Sequence, residues 1–160
     1  MKKIVIALSL AMVFALIAGP VMAANPHFVW YDASVNKSSG QLVVSWKEAG
    51  LGDNALVAYT ASADSTAVWG CINGGNHHPR AANKETVTGP LSDTKSFYSG
   101  KNGQITGAMT LGPIPATPDF SCPPGQHLRL IAVNYTNITL TDDTNGITVA
   151  LPDASWTLFP

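Results

Sequence analysis

Alternation with a period of two recurs along this chain, and no stretch repeats every 3.6 residues. In residues 41–47, Leu42, Val44 and Trp46 point one way and Gln41, Val43, Ser45 and Lys47 the other. In residues 104–111, Ile105, Met109 and Leu111 oppose Gln104, Thr106 and Thr110. Successive side chains of a strand leave opposite faces, so this pattern predicts strands with one buried face. Residues 128–135 are apolar on both faces, as a central strand requires. Shorter candidates lie at 28–31, 55–62, 66–71, 85–89, 94–99, 137–141 and 146–151.

Turn chemistry separates these segments. Asn102-Gly103 and Asn145-Gly146 are hairpin signals, because both residue types accept positive φ. Pro113, Pro115 and Pro118 mark a stiff loop, and Pro123-Pro124-Gly125 ends whatever strand carries Cys122. Eight to ten short strands predict an all-β fold, an antiparallel β-sandwich with immunoglobulin-like architecture. A small closed barrel is the alternative. The segments are too short for an outer-membrane barrel, whose strands run to about ten residues.

The N-terminus reads as an export signal. Lys2 and Lys3 precede an apolar run over residues 4–18, then Gly19-Pro20 breaks it before Val21-Met22-Ala23. Small residues at Val21 and Ala23 predict cleavage after Ala23. The run falls short of the ~20 residues that a membrane span needs. The expected organisation is a signal peptide at 1–23 and one secreted domain at 24–160, extracellular or periplasmic. Nothing in the pattern predicts a lipid anchor or a membrane span after cleavage. Of the 9 basic residues, 7 then remain against 10 acidic ones, a formal charge of −3. A mildly acidic, evenly spread balance supplies no footprint for nucleic acid.

Cys71 and Cys122 are the only cysteines. An even count in an oxidising compartment predicts a disulfide between them. Trp69 lies two residues before Cys71 and Phe120 two before Cys122, so both rings are expected beside the bridge if both pairs sit on strands. The arrangement is similar to the immunoglobulin pin in architecture only: Phe120 stands where a corner tyrosine would, and no tryptophan follows Cys71 by a dozen residues.

Metal chemistry has weak candidates. Cys122 and His127 have a cupredoxin-like spacing, with His27, His77 or His78 as remote ligand. No methionine follows His127 closely, and copper would leave Cys71 as a free thiol. His77 and His78 are adjacent, so in an extended segment they point apart. Asp142 and Asp143 offer carboxylates to calcium, but a hairpin turn is needed there and no twelve-residue loop with a closing Glu is present. Pro26 has no amide proton to lose, which excludes an amino-terminal copper site at His27. No cofactor is expected.

No Gly-x-Ser-x-Gly elbow or His-Glu-x-x-His pair occurs. An enzyme would instead require a concave pocket that gathers Glu48, Asp53 or Glu85 with a histidine. Trp30, Tyr31, Tyr98 and Trp156 are candidate ligand-binding aromatics; a carbohydrate-binding module would set them in a planar exposed row. Asn36, Asn134 and Asn137 begin sequons. In order along the chain, Asn25-Pro26-His27-Phe28, Lys47-Glu48-Ala49-Gly50-Leu51, Cys71-Ile72-Asn73-Gly74-Gly75, Ala82-Asn83-Lys84 and Phe120-Ser121-Cys122-Pro123-Pro124-Gly125-Gln126 resemble small secreted β-rich bacterial proteins of actinobacterial type. That resemblance implies export and a self-contained β domain, with no catalytic or binding residues to carry over.

The expectation is therefore an exported, non-catalytic β-sandwich acting through its surface on a protein or glycan, in adhesion or at the cell envelope. A carbohydrate-binding module and a copper- or calcium-binding protein are the alternatives. The cysteine reading has a direct check: a thiol assay on denatured, unreduced mature protein should detect no free thiol, and one thiol per chain or more would return Cys122 to the pool of metal ligands.

Overall fold

The computed structural model describes residues 25–73 and 83–159; the leader at 1–23 and the His77–His78 pair lie outside them. The described residues form eight strands: β1 (His27–Val35), β2 (Leu42–Ala49), β3 (Leu56–Ile72), β4 (Lys84–Tyr98), β5 (Ile105–Leu111), β6 (His127–Asp142), β7 (Ile147–Ala150) and β8 (Ala154–Thr157). One sheet has the order β1-β2-β5, the other β4-β3-β6-β7, with β8 also paired to β6. Every pairing is antiparallel. The fold is all-β, two antiparallel sheets packed face to face.

Period two does what it predicts. Leu42, Val44 and Trp46 of β2 and Ile105, Met109 and Leu111 of β5 face Val57, Tyr59 and Ala61 of β3 and Val133, Tyr135 and Leu140 of β6 in one core. Trp46 is fully buried and spans the layers, its ring 4.8 Å from Tyr59 and 5.3 Å from Phe97. On its own sheet it lies over Gly107, where a Cβ would come within 2.7 Å of the indole. Glycine is required at 107 because tryptophan fills the space a side chain would take.

The eight strands fall within the expected number, but three are longer than expected. Segments 55–62 and 66–71 fuse into β3, 85–89 and 94–99 into β4, and 128–135 and 137–141 into β6. The breakers between them all fall on one level of the sheet. Asp64 pairs with Pro90 on one side and Thr136 on the other, and β3 carries an irregularity between Ser62 and Asp64. On β6, Asn137 adopts a φ of 51° and donates its amide to the Asp64 carboxylate at 2.7 Å. Asp64, Pro90 and Asn137, of residue types common in turns, thus meet at a bulge that the strands cross. Pro90 is tolerated because β4 is an edge strand. The level continues into Pro152 and Asp153, which separate β7 from β8. Leu151 bonds there through its N–H to the Ile138 carbonyl at 2.9 Å. Strand β8 was not foreseen: it is a four-residue strand that resumes pairing along β6 beyond this break.

Cys71 and Cys122 form a disulfide with Cα atoms 5.5 Å apart. It ties the end of β3 to the connection between β5 and β6, which crosses from one sheet to the other. Its loop of 51 residues corresponds to about 4 kcal/mol in the chain-entropy account. Trp69 shares the inward side of β3 with Cys71 and donates to the Ile114 carbonyl at 2.8 Å. Phe120 departs from expectation, lying in the connection, where its N–H bonds the Thr117 carbonyl at 3.0 Å. Pro118, Pro123 and Pro124 deprive this stretch of the donors that a ladder needs.

Substituting Gly107→Ala should lower stability by about 1–3 kcal/mol through overpacking against the indole. Urea unfolding would measure it, and Trp46→Phe in the same chain should make the added methyl less costly than in the wild-type background.

Candidate functional site

At one pole of the sandwich the β1–β2 hairpin is locked before any ligand arrives. Asn36 Oδ1 accepts from the Ser38 N–H at 3.0 Å and the Ser38 hydroxyl at 2.7 Å, an Asx turn. The Gly40 N–H bonds the Asn36 carbonyl at 2.7 Å. Gly40 has a φ of 72° and lies so close to Leu130 that a Cβ would meet its Cδ2 at 2.1 Å. From the core, the fully buried Tyr135 donates its hydroxyl to the Gly40 carbonyl at 2.7 Å. Burial holds that phenol in its neutral donating form, its pKa pushed up to about 12.

This hairpin forms one wall of a cavity of about 320 Å³ between the sheets. Lys37, Ser38 and Ser39 line it from the hairpin. Arg129 and Leu130 from β6, Ile72 from β3, and Trp156 and Leu158 at and beyond β8 supply the other wall. A second cavity of about 450 Å³ adjoins it, sharing Ser39 and lined by Gln41, Trp69, Pro113 and Pro115. The hairpin tip therefore stands between two hollows, each with one indole. Among the described residues the salt bridge is Lys95–Asp93 at 3.2 Å, so neither Lys37 nor Arg129 is neutralised by a described carboxylate.

The acids gather at the other pole. Glu48, Tyr59 and Asp142 are all fully buried. Tyr59 donates to Glu48 Oε2 at 2.7 Å, while no donor reaches Glu48 Oε1. Asp142 caps the β6–β7 turn, accepting from the N–H groups of Thr144 and Asn145 at 2.9 Å each and from the Asn145 amide at 2.6 Å. Desolvation raises the Glu48 pKa to about 7; the hydrogen bond from Tyr59 opposes the rise, while the nearby Asp142 carboxyl adds to it. Glu48 Oε1 is buried without a hydrogen-bond partner, which favours the neutral carboxyl over the carboxylate there. His27 attracts the ionised form only weakly. Burial and Glu48 together drive the Tyr59 phenol well above its ordinary range.

The residues singled out from the sequence are dispersed. Trp30 faces outward opposite Lys47, Tyr31 lies on the reverse side of β1 against Phe28, and Tyr98 sits opposite Leu56 on the outside of the other sheet. They form no planar row with Trp156, which is half-buried in the cavity. His127 is exposed at the start of β6, opposite Ile72, and Cys122 has no free sulfur to join it in a copper site. Asp142 points into the core, while Asp143 accepts from the Thr60 hydroxyl at 2.7 Å on the outside. Among the described residues no cluster of three or more His, Cys, Asp or Glu could hold a metal ion. Glu48 is sealed in the core, Asp53 lies in an exposed loop, and Glu85 accepts from the Thr117 N–H at 2.9 Å; none of the three lines either described cavity.

Lys37 and Arg129 were not foreseen as site residues. Their signals were present: Arg129 is a lone cation in an otherwise apolar segment, and Lys37 lies in an Asn-Lys-Ser-Ser-Gly run read only as a sequon. What the sequence could not reveal is that the two lie across one cavity.

Glu48 makes stability depend on pH with a definite sign. Its pKa is about 7 folded against 4.5 as the ordinary value, so the folded state holds a proton that the unfolded chain releases. This contribution is intact below pH 4.5, falls as pH rises toward 7 and levels off above it. At 1.36 kcal/mol per pKa unit the loss is about 3 kcal/mol. Urea denaturation between pH 4 and 8 should show it, and Glu48→Gln should remove most of the slope. No family model, no curated protein and no solved structure matches this chain.

Proposed function

We propose that this chain is an exported, non-catalytic β-sandwich protein of immunoglobulin-like architecture that acts through its surface, in adhesion or at the cell envelope. We further infer that it makes its contact at the pole carrying Lys37, Arg129 and Trp156. The observation that carries this reading is the segregation of chemistry. The carboxyl group tuned toward neutral pH is closed off in the core, whereas the cavity offers ammonium, guanidinium, hydroxyl and indole groups suited to binding. Catalysis by general acid and base requires titrating groups within reach of a substrate; Glu48 and Asp142 are not within reach.

Export is supported by the leader pattern at residues 1–23 and fits the disulfide, which belongs to an oxidising compartment. Among the described residues no helix is long and apolar enough to cross a membrane. Locked hairpin geometry also favours binding, because ordering the contact surface beforehand lowers the entropy lost on association.

The test is cosedimentation of the disulfide-intact mature protein with washed cell envelopes of the producing organism. Binding that saturates and is competed by unlabelled protein supports the reading. A chain that remains in the supernatant at all envelope concentrations overturns it.

A further inference from the structure

We propose that the paired cavities at the hairpin pole bind an acidic oligosaccharide: a sugar ring bearing one anionic oxygen group beside Trp156, with the next ring passing over Ser39 toward Trp69. The inference rests on the reading of this pole as the contact surface and names the chemistry of its ligand.

Four observations converge. First, Lys37 and Arg129 arrive from different sheets at one cavity, with no described carboxylate bridging to either. A guanidinium presents a planar fork of donors that matches a carboxylate or phosphate, and the ammonium adds a point charge. Second, the hydroxyl donors beside them are already committed. Ser38 Oγ donates to Asn36 Oδ1 at 2.7 Å and Ser39 Oγ to Gln41 Oε1 at 3.2 Å. Ser39 Oγ also accepts from the Gln41 N–H at 3.3 Å, and each serine oxygen keeps a lone pair able to accept from a polyol's hydroxyl groups. Third, Trp156 and Leu158 give an apolar wall for the C–H face of a pyranose. A simple anion would have no use for that wall, and a flat apolar ligand none for the acceptors.

Fourth, the two hollows are of a size to hold single sugar rings, the second of them open to solvent. About 320 Å³ lies at the small end of ligand sites, which run from ~300 to ~1,000 Å³. The adjoining hollow, at about 450 Å³, shares Ser39 and repeats the indole with Trp69 but has no cation in its lining. One acidic ring and one neutral or acidic neighbour is the occupant this pair describes. The site differs from a planar aromatic platform: its aromatic rings flank a clamped hairpin, and charge fixes which ring enters first.

The anionic group can be a carboxylate or a phosphate, and the experiment separates them. Isothermal titration would use the disulfide-intact mature chain with trigalacturonate, its fully methyl-esterified form, and mannose 6-phosphate. Trigalacturonate should bind, the neutral ester should not, and binding should weaken as salt rises. Lys37→Gln and Arg129→Gln, both on exposed side chains, should each weaken binding by about tenfold or more, the scale of one charge-assisted contact. Lys101→Gln, at the opposite pole, should leave it unchanged. Trp156→Phe should weaken binding while keeping a ring against the core, and far-UV circular dichroism would confirm that each variant is folded.

Binding of mannose 6-phosphate alone, with the same dependence on Lys37 and Arg129, assigns the anionic group to phosphate. Binding of neither acidic sugar, equal binding of the ester, or binding indifferent to both substitutions overturns the proposal. Envelope binding that persists in the Lys37→Gln/Arg129→Gln double variant would leave the surface role standing and remove only this ligand.

Discussion

Trp46 is the residue on which the two sheets agree. It belongs to β2, yet its ring lies against Tyr59 of β3 and Phe97 of β4 and over Gly107 of β5. Large aromatic surfaces dominate the energetics of such cores, and here one indole fixes both the separation of the layers and their offset. Two residues further along β2, that offset brings Glu48 to the Tyr59 hydroxyl. The polar bond between sheets is thus a consequence of the apolar one.

From this joint the chemistry divides along the strands. Asp142 and Arg129 lie on the same strand, thirteen residues and roughly 40 Å apart at ~3.3 Å per residue. At one end, the carboxyl groups of Glu48 and Asp142 are withdrawn from water. At the other, cations remain in water beside an indole. Asp142 accepts three hydrogen bonds from the β6–β7 turn, two from backbone N–H groups and one from the Asn145 amide. The acidic turn that invites a metal reading is built as a cap, with the Asp142 side chain turned into the core.

The parts of the fold that were legible in the sequence are those governed by period. The inward faces of β2 and β5 follow alternation, whereas residues 128–135, apolar on both faces in sequence, bury only one in β6, and the cysteine pair follows from an even count. Illegible were the features that depend on what lies opposite. Asp64, Pro90 and Asn137 carry turn chemistry, yet each is met by a partner across the sheet that lets the strand continue. Strand β8 has too few residues to show a period. The candidate site was the least legible part, because Lys37 and Arg129 are separated by most of the chain and become neighbours only through sandwich closure. Of the four aromatics that invited a ligand reading, Trp156 is the one that lines either of the two described cavities, and nothing in its immediate sequence sets it apart from Trp30.

The irregular level through Pro90 also bears on how the sheet meets other chains. Strand β4 is 15 residues long and forms ladder bonds with β3 alone, leaving its far side open. A long flat edge of this kind is a template on which a second chain can add its own strand and begin a fibril. Pro90 interrupts the row of N–H donors midway, the neighbouring bulge twists the edge, and Asp93 and Lys95 place charge close to it. The residue that looks like the end of a strand acts instead as a guard on its edge, so that the sheet can be long without becoming adhesive to copies of itself.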